Sequence, residues 1–329
     1  MKTAVVTGGA GFIGSHMVDL LLGEGFRVHV IDNLVGGRLQ NLEHHKGNAN
    51  LAVEMRDICE IEQADPFFKD AEYVFHFAGI GDIVPSIEQP VDYLSTNVMG
   101  TVKVLEAARH AGARKLVYAA SSSCYGLAQV PTREDAPLQP QYPYALSKYM
   151  GEEAVFHWGK VYKLPVNSIR IFNAYGIRSR TSGAYGAVFG VFLAQKLAGK
   201  PFTVVGDGTQ TRDFLYASDV ARGFYLAATT DRVNQVYNVG AGSPQSVNRL
   251  VELLGGGEVI HLPKRPGEPD CTWADISKIR SELGWEPLIS LEEGVGRMLD
   301  NIDYWRQAPV WDEQSIAQAT EQWFKYLKN

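Results

Sequence analysis

Tyr144 and Lys148 stand four residues apart in the stretch "LQPQYPYALSKYMGEE", Leu138 to Glu153. On a helix that spacing sets both side chains on one face. A tyrosine is a poor base at neutral pH because its pKa is about 10. An ammonium about 4 Å away, in a medium of effective dielectric about 20, is worth roughly 4 kcal/mol, or about three pKa units. The two residue types therefore suit proton transfer, with a phenol that takes and returns a proton and a lysine that tunes it. Ser121, at the end of "KLVYAAS", adds a hydroxyl, and strand ends in open α/β sheets point into the ligand crevice. The same residues would also suit an amphipathic surface helix and a strand cap, so the surrounding elements have to decide.

Those elements alternate. "KTAVVT" is a β-branched run ending in glycines, and "FIGSHMVDLLLGEG" follows with apolar residues at helical spacing. "FRVHVID", "LAVEMRD", "YVFHFAG", "KLVYAAS" and "VNSIRIF" read as further strands, each separated by enough chain for a helical crossover. Such alternation implies an α/β fold, a doubly wound parallel sheet covered on both faces by helices. Between the first strand and helix lies "TGGAGFIG", with Gly9-x-Gly11-x-x-Gly14 and also Gly8-x-x-Gly11-x-x-Gly14. At that turn the missing side chains let the backbone approach a pyrophosphate, and the helix N-terminus supplies partial positive charge. Asp32 ends the second strand, where an acid bonds adenosine ribose hydroxyls and repels a 2′-phosphate. This favours NAD over NADP, while Arg38 a little downstream offers the alternative.

Composition narrows the class. The 329 residues are 45% apolar and 21% charged, with a net charge of −6 and no basic run interleaved with aromatics. Nucleic acid is therefore not an expected partner. No run of about 18 apolar residues occurs, so no membrane partner is expected, and the early glycine loop leaves no room for a signal peptide. A cytoplasmic protein is expected. Cys59, Cys124 and Cys271 form neither a CxxC pair nor an even set, and His44 and His45 cannot meet one ion as an i, i+4 pair would. No metal is expected.

The glycine loop, Asp32, the run "SSSCYG" and Tyr144-x-x-x-Lys148 together resemble the extended short-chain dehydrogenase/reductase family, and within it the nucleotide-sugar epimerases and dehydratases. Further matches are "RDI", "HFAG", "RIFNAYG", "GDGTQTRDFLYASDVARG" and "KRPGEPDCTWADISK". The resemblance covers nearly the whole chain and implies a Rossmann-type sheet with a smaller mixed α/β substrate domain. It assigns the cofactor contacts to Gly8, Gly11, Phe12, Ile13, Gly14, Asp32, Asn33, Asp57, Ile58, Phe77, Ala78, Gly79 and Asn97, with Tyr144 and Lys148. Tyr144, Lys148 and Ser121 are its catalytic set, Lys148 also bonding the nicotinamide ribose. The implied substrate contacts are Ser122, Ser123, Asn173, Arg180, Arg212 and Arg265. Arg212 and Arg265 are the implied diphosphate clamp, since a guanidinium meets phosphate oxygens bidentately. Three places depart from the pattern: "YGIR" carries Ile177 for proline, "RPGE" carries Glu268 for aspartate, and the segment after Trp305 extends past the common end. That extension reads as an added helix for packing or assembly, and a homodimer is expected.

The expected division is a cofactor domain over 1–174, with a returning segment about 213–240, and a substrate domain with the extension over 175–329. "RSRTSGAYG" is expected in the wall of the sugar pocket, with Arg178 or Arg180 placed to meet a uronate carboxylate. Dehydratases of the family commonly carry an Asp-Glu pair at the places of Ser122 and Ser123, and decarboxylating relatives keep the glutamate. Two serines cannot do carboxylate work. The resemblance thus implies an NAD-dependent nucleotide-sugar 4-epimerase acting on a nucleotide-diphosphate sugar such as a UDP-sugar. The alternatives are a 4,6-dehydratase or UDP-glucuronate decarboxylase within the enzyme class, and a non-catalytic NAD-sensing protein outside it.

Overall fold

The structure is a computed structural model that describes residues 1–181 and 188–327. Its first half runs β1 (Thr3–Thr7), α1 (Phe12–Gly23), β2 (Arg27–Asp32), β3 (Leu51–Met55), β4 (Ala71–His76), α2 (Ile83–Glu88), α3 (Pro90–Leu94), α4 (Thr101–His110), β5 (Lys115–Ser121), α5 (Pro143–Tyr162) and β6 (Val166–Ile171). The second half continues with β7 (Ala174–Tyr175), α6 (Val188–Leu197), β8 (Phe202–Val205), β9 (Thr211–Arg212), β10 (Leu215–Tyr216), α7 (Ala217–Thr229), β11 (Gln235–Val239), β12 (Gln245–Ser246), α8 (Val247–Leu253), β13 (Val259–Leu262), α9 (Ser277–Leu283), α10 (Leu291–Asp300), α11 (Glu313–Ala319) and α12 (Glu321–Tyr326).

Seven strands form one parallel sheet in the order β11-β6-β5-β4-β1-β2-β3. The order reverses between β1 and β4, which places the crevice of a doubly wound sheet at the carboxyl ends of these two strands. Successive residues of a strand point to opposite faces. In β1, Ala4 and Val6 join one core with Met17 and Leu21 of α1 and Phe224 of α7. Val5 joins a second core on the other face, with Val104 and Leu105 of α4 and Val155 of α5. With both faces covered, the strand reads as a continuous buried run, and this is why "TAVVT" lacks polar alternation. A third core holds Phe192, Leu193, Phe202, Leu250, Met298 and Trp305, all from beyond residue 174.

The 20 residues of α5 make the longest helix of the described chain. Pro143 fits its first turn, where no intrahelical N–H bond is lost, and Lys163 in left-handed conformation ends it. Its buried face carries Lys148, Gly151, Glu152 and Val155. A methyl on Gly151 would run into the Tyr118 hydroxyl, so a glycine there lets α5 lie close on β5. That close approach brings Tyr144 to the strand end at Ser121.

Candidate active site

The turn from β1 into α1 is packed too tightly for side chains. Gly8 has φ of +70°, and a methyl there would stand 2.6 Å from the Ala78 nitrogen. One at Gly14 would run into the Gly8 carbonyl oxygen. No side chain caps α1 at Gly11, so its first N–H groups are left for a ligand at the positive end of the helix. Above this turn opens a cavity of about 660 Å³. Its walls include Gly8, Gly11, Phe12, Ile13, Gly14, Asp32, Asn33, Asp57, Ile58, Phe77, Ala78, Gly79, Tyr144 and Lys148. These residues fit a dinucleotide: a bare backbone cradle, the carboxylates of Asp32 and Asp57, and the titratable groups of Tyr144 and Lys148.

Asp32 is held rigidly, accepting the Ala10 N–H at 3.0 Å and the Leu34 N–H at 2.8 Å. Burial raises its pKa against those bonds. Asp57 accepts from Cys59 N at 2.8 Å and from Asn33 Nδ2 at 2.7 Å. Arg38, the residue that would suit an NADP site, instead lays its guanidinium 5.7 Å over the ring of Tyr304. Asn97 departs from expectation. It does not line the cavity: its amide is buried, accepting the Ile80 N–H at 2.8 Å and donating to the Ile80 carbonyl and Ser147 Oγ, both at 2.9 Å. It therefore ties the loop after β4 to α5 beside Gly79.

Tyr144 and Ser121 share the wall of a neighbouring cavity, and Ser121 Oγ lies 2.8 Å from Ser123 Oγ. Burial pushes the Tyr144 phenol up to about 12, with the Ser121 side chain working against it. Lys148 is pushed down to about 8, again by burial, and its ammonium sits 4.4 Å over the ring of Tyr118. The expectation that Lys148 alone brings the phenol toward neutrality is thus not met. Desolvation is the largest influence on each group and disfavours both charged forms. A positive charge entering the cavity would act in the missing direction.

A second cavity, of about 470 Å³, meets the first. Tyr144 lines both, together with Phe12, Ile13, Ala120 and Ile171. Ser121, Ser122, Ser123, Asn173 and Arg212 line the second. Asn173 Oδ1 accepts the Thr272 hydroxyl at 2.5 Å. Arg212 donates to Glu268 Oε1 at 2.8 Å, while Arg265 stands 3.8 Å from Glu268 Oε2 and 5.4 Å over the Trp323 ring. Arg212 lines this cavity and Arg265 does not, with Glu268 between the two. Arg180 reaches the first cavity and donates to Asp82 at 2.6 Å. Arg178 donates to Asp19 at 2.5 Å and does not line either cavity. The rest of "RSRTSGAYG", Ser182–Gly186, lies outside the described residues.

Residues 4–240 match the family described as the NAD dependent epimerase/dehydratase family. The chain belongs to this family. Its cofactor is NAD, which agrees with the cradle and Asp32. Among similar proteins is the putative UDP-glucose 4-epimerase of Methanocaldococcus jannaschii, 37% identical over 90% of this chain and 97% of the relative. UDP-glucuronic acid decarboxylase 1 of Xenopus tropicalis is 33% identical over 93% of this chain and 72% of the relative. Among solved structures, the UDP-glucuronic acid 4-epimerase of Bacillus cereus in complex with UDP-glucuronic acid and NAD superposes with a TM-score of 0.85 at 32% identity, covering 92% of this chain and 99% of that one.

Within this epimerase/dehydratase, several site residues escape sequence reasoning. Tyr142 and Trp323 line the second cavity, and Tyr142 stacks on Tyr144 at 6.4 Å with 10° between the rings. Glu152, one turn beyond Lys148, binds Arg170 of β6 at 2.6 Å. Its i+4 place after Lys148 was the signal that could have found it. The structure also brings Asp19 Oδ1 to within 2.8 Å of the Nε2 atoms of both His44 and His45. No metal was expected from the adjacent histidines, and the third member of this trio stands 25 residues away in α1. Arg178 on the same carboxylate already balances its charge.

Proposed function

We propose that the protein is a nucleotide-sugar 4-epimerase that inverts C4 of a UDP-sugar through a transient 4-keto sugar. On this reading, residues 1–174 with a return about 213–240 hold the cofactor, and the remainder holds the substrate. One observation carries the choice among the family's reactions. Among the described residues of the second cavity, Glu268 is the sole carboxylate, and it is bonded to Arg212 at 2.8 Å. Ser122 and Ser123 stand where elimination or decarboxylation would call for acids. Asp82, which lines the first cavity, is paired to Arg180 at 2.6 Å.

NAD, when bound, supplies the reversible oxidation at C4 that no side chain here can perform. Tyr144, at the seam of the two cavities, takes the C4 hydroxyl proton as C4 is oxidised and returns it once the keto ring has turned over. Ser121 bonds the same oxygen and fixes its distance to the phenol. Lys148 holds the cofactor end of the site and keeps positive charge near the phenol. Arg212 grips the diphosphate, which stays in place while the hexose rotates. The same proposal includes a homodimer. Val91 of α3, Met99, and Leu146 and Met150 of α5 are exposed apolar side chains on elements that pack together, a patch suited to a second copy.

The test is turnover in D₂O with UDP-glucose, UDP-N-acetylglucosamine and UDP-glucuronate in parallel. The expected product is inverted at C4, unchanged in mass, with no deuterium at C5, and Tyr144→Phe abolishes it while retaining NAD. Loss of water or deuterium at C5 means that a carboxylate such as Asp82 acts as a base, and the dehydratase reading replaces this one. Carbon dioxide from UDP-glucuronate likewise favours the decarboxylase.

A further inference from the structure

The chain beyond Trp305 does more than add a helix to the surface. Asp312 and Ser315 form a reciprocal capping box that starts α11, and Ile316 buries its side chain. Thr320 interrupts the helix, and α12 then turns back to pack on α2. Trp323 of α12 is 6% exposed and stands in the wall of the second cavity, with Ser121, Ser123 and Tyr144.

Two contacts fix which part of a ligand it would meet. The indole Nε1–H donates to the Pro266 carbonyl at 2.8 Å and the Arg265 guanidinium lies 5.4 Å over the ring, so the polar edge is bonded to protein while apolar ring surface remains on the cavity wall. Its ring lies 6.4 Å from Tyr142, which in turn stacks on Tyr144 at 6.4 Å. Trp323 is therefore linked to the phenol through one intervening ring, on a wall it shares with Tyr144. A pyranose presents C–H groups on its faces, and an aromatic face is the matching surface.

Resting on the reading of this cavity as a nucleotide-sugar site, we propose that Trp323 is the platform on which the hexose ring packs. The C-terminal helix pair is thereby part of the substrate site and a determinant of which sugar is accepted. Trp323 also lies under the guanidinium of Arg265, which gives a second, distinguishable role through the diphosphate.

Calorimetry on the NAD-loaded full chain separates the roles, using UDP and UDP-glucose as ligands and comparing wild type with Trp323→Ala and Trp323→Phe. NAD content and melting temperature verify that each variant is folded, and the phenylalanine keeps a ring in place should the alanine fail. The expected result is about tenfold weaker UDP-glucose binding in Trp323→Ala, with UDP binding unchanged and most of the affinity retained in Trp323→Phe. Equal loss for UDP and UDP-glucose overturns the platform, because the residue then acts through Arg265. Unchanged UDP-glucose affinity in both variants overturns it as well. A wild type that binds neither ligand brings down the site reading itself.

Discussion

Glu152→Gln tests what holds the reactive face of α5 in place. Glu152 follows Lys148 by one turn, and its carboxylate accepts Arg170 Nη2 at 2.6 Å, Arg170 Nε at 3.0 Å and the Ser168 hydroxyl at 2.5 Å. Arg170 also donates to the Tyr125 hydroxyl at 2.9 Å and the Glu134 carbonyl at 3.1 Å. The two side chains are 1% and 5% exposed, so glutamine leaves a guanidinium charge in the interior without its counter-ion. Such a loss costs about 3–5 kcal/mol. Unfolding entropy of about 2.1 cal/mol/K per residue comes to about 0.7 kcal/mol/K for this chain, which converts the loss to about 4–7 °C. Differential scanning calorimetry of the NAD-loaded protein at neutral pH reads it directly. Glu152→Leu with Arg170→Met should lose less than the two single variants together, because no charge is then left buried. The Glu152 charge also raises the Lys148 pKa against burial, so in Glu152→Gln the lysine loses its proton at a pH below about 8. A melting temperature within about 1 °C of wild type, or a double variant as unstable as the sum of the singles, refutes the argument that the buried pair anchors the helix.

Arg212→Ala is expected to weaken UDP binding by about 1.5–3 kcal/mol, with kcat/KM falling in step because the diphosphate contact persists through the reaction. Arg265→Ala should lose less, since Arg265 stands off the cavity wall beside Trp323. Equal losses by calorimetry would put both guanidiniums on the diphosphate. Asp213 provides a pH test. It is buried, accepts the Ala274 N–H at 2.9 Å, and burial pushes its pKa up to about 6. A pKa raised on folding means the protonated form is favoured in the native state, so this stability is full below the unfolded value of 3.8 and is lost as pH rises through about 6. Asp213→Asn should therefore show a smaller loss of melting temperature than wild type between about pH 4 and pH 7. Parallel melting curves for the two proteins across that range would rule this out.

Local pattern carried a large part of this protein. The β-branched runs fit strands buried on both faces, the glycine spacing at the first turn marks a backbone that must approach a ligand, and Tyr144 with Lys148 share a face because helical geometry is the same wherever the helix lies. Each of these follows from neighbours in the chain. What only the tertiary structure decided concerns residues that meet across the fold and the dielectric they meet in. Ser121 and Tyr144 share a cavity wall because Gly151 lets α5 close on β5, and Glu152 finds Arg170 on a strand 18 residues later. The Asn97 amide braces a loop against α5, a role set by packing across the fold. Arg265 lies against a tryptophan from the last helix, and that helix, expected for packing or assembly, supplies a wall residue of the second cavity. The Tyr144 phenol lies at about 12 rather than near neutrality because a pKa depends on how much water surrounds the group, which is a property of the enclosed volume and not of any spacing along the chain.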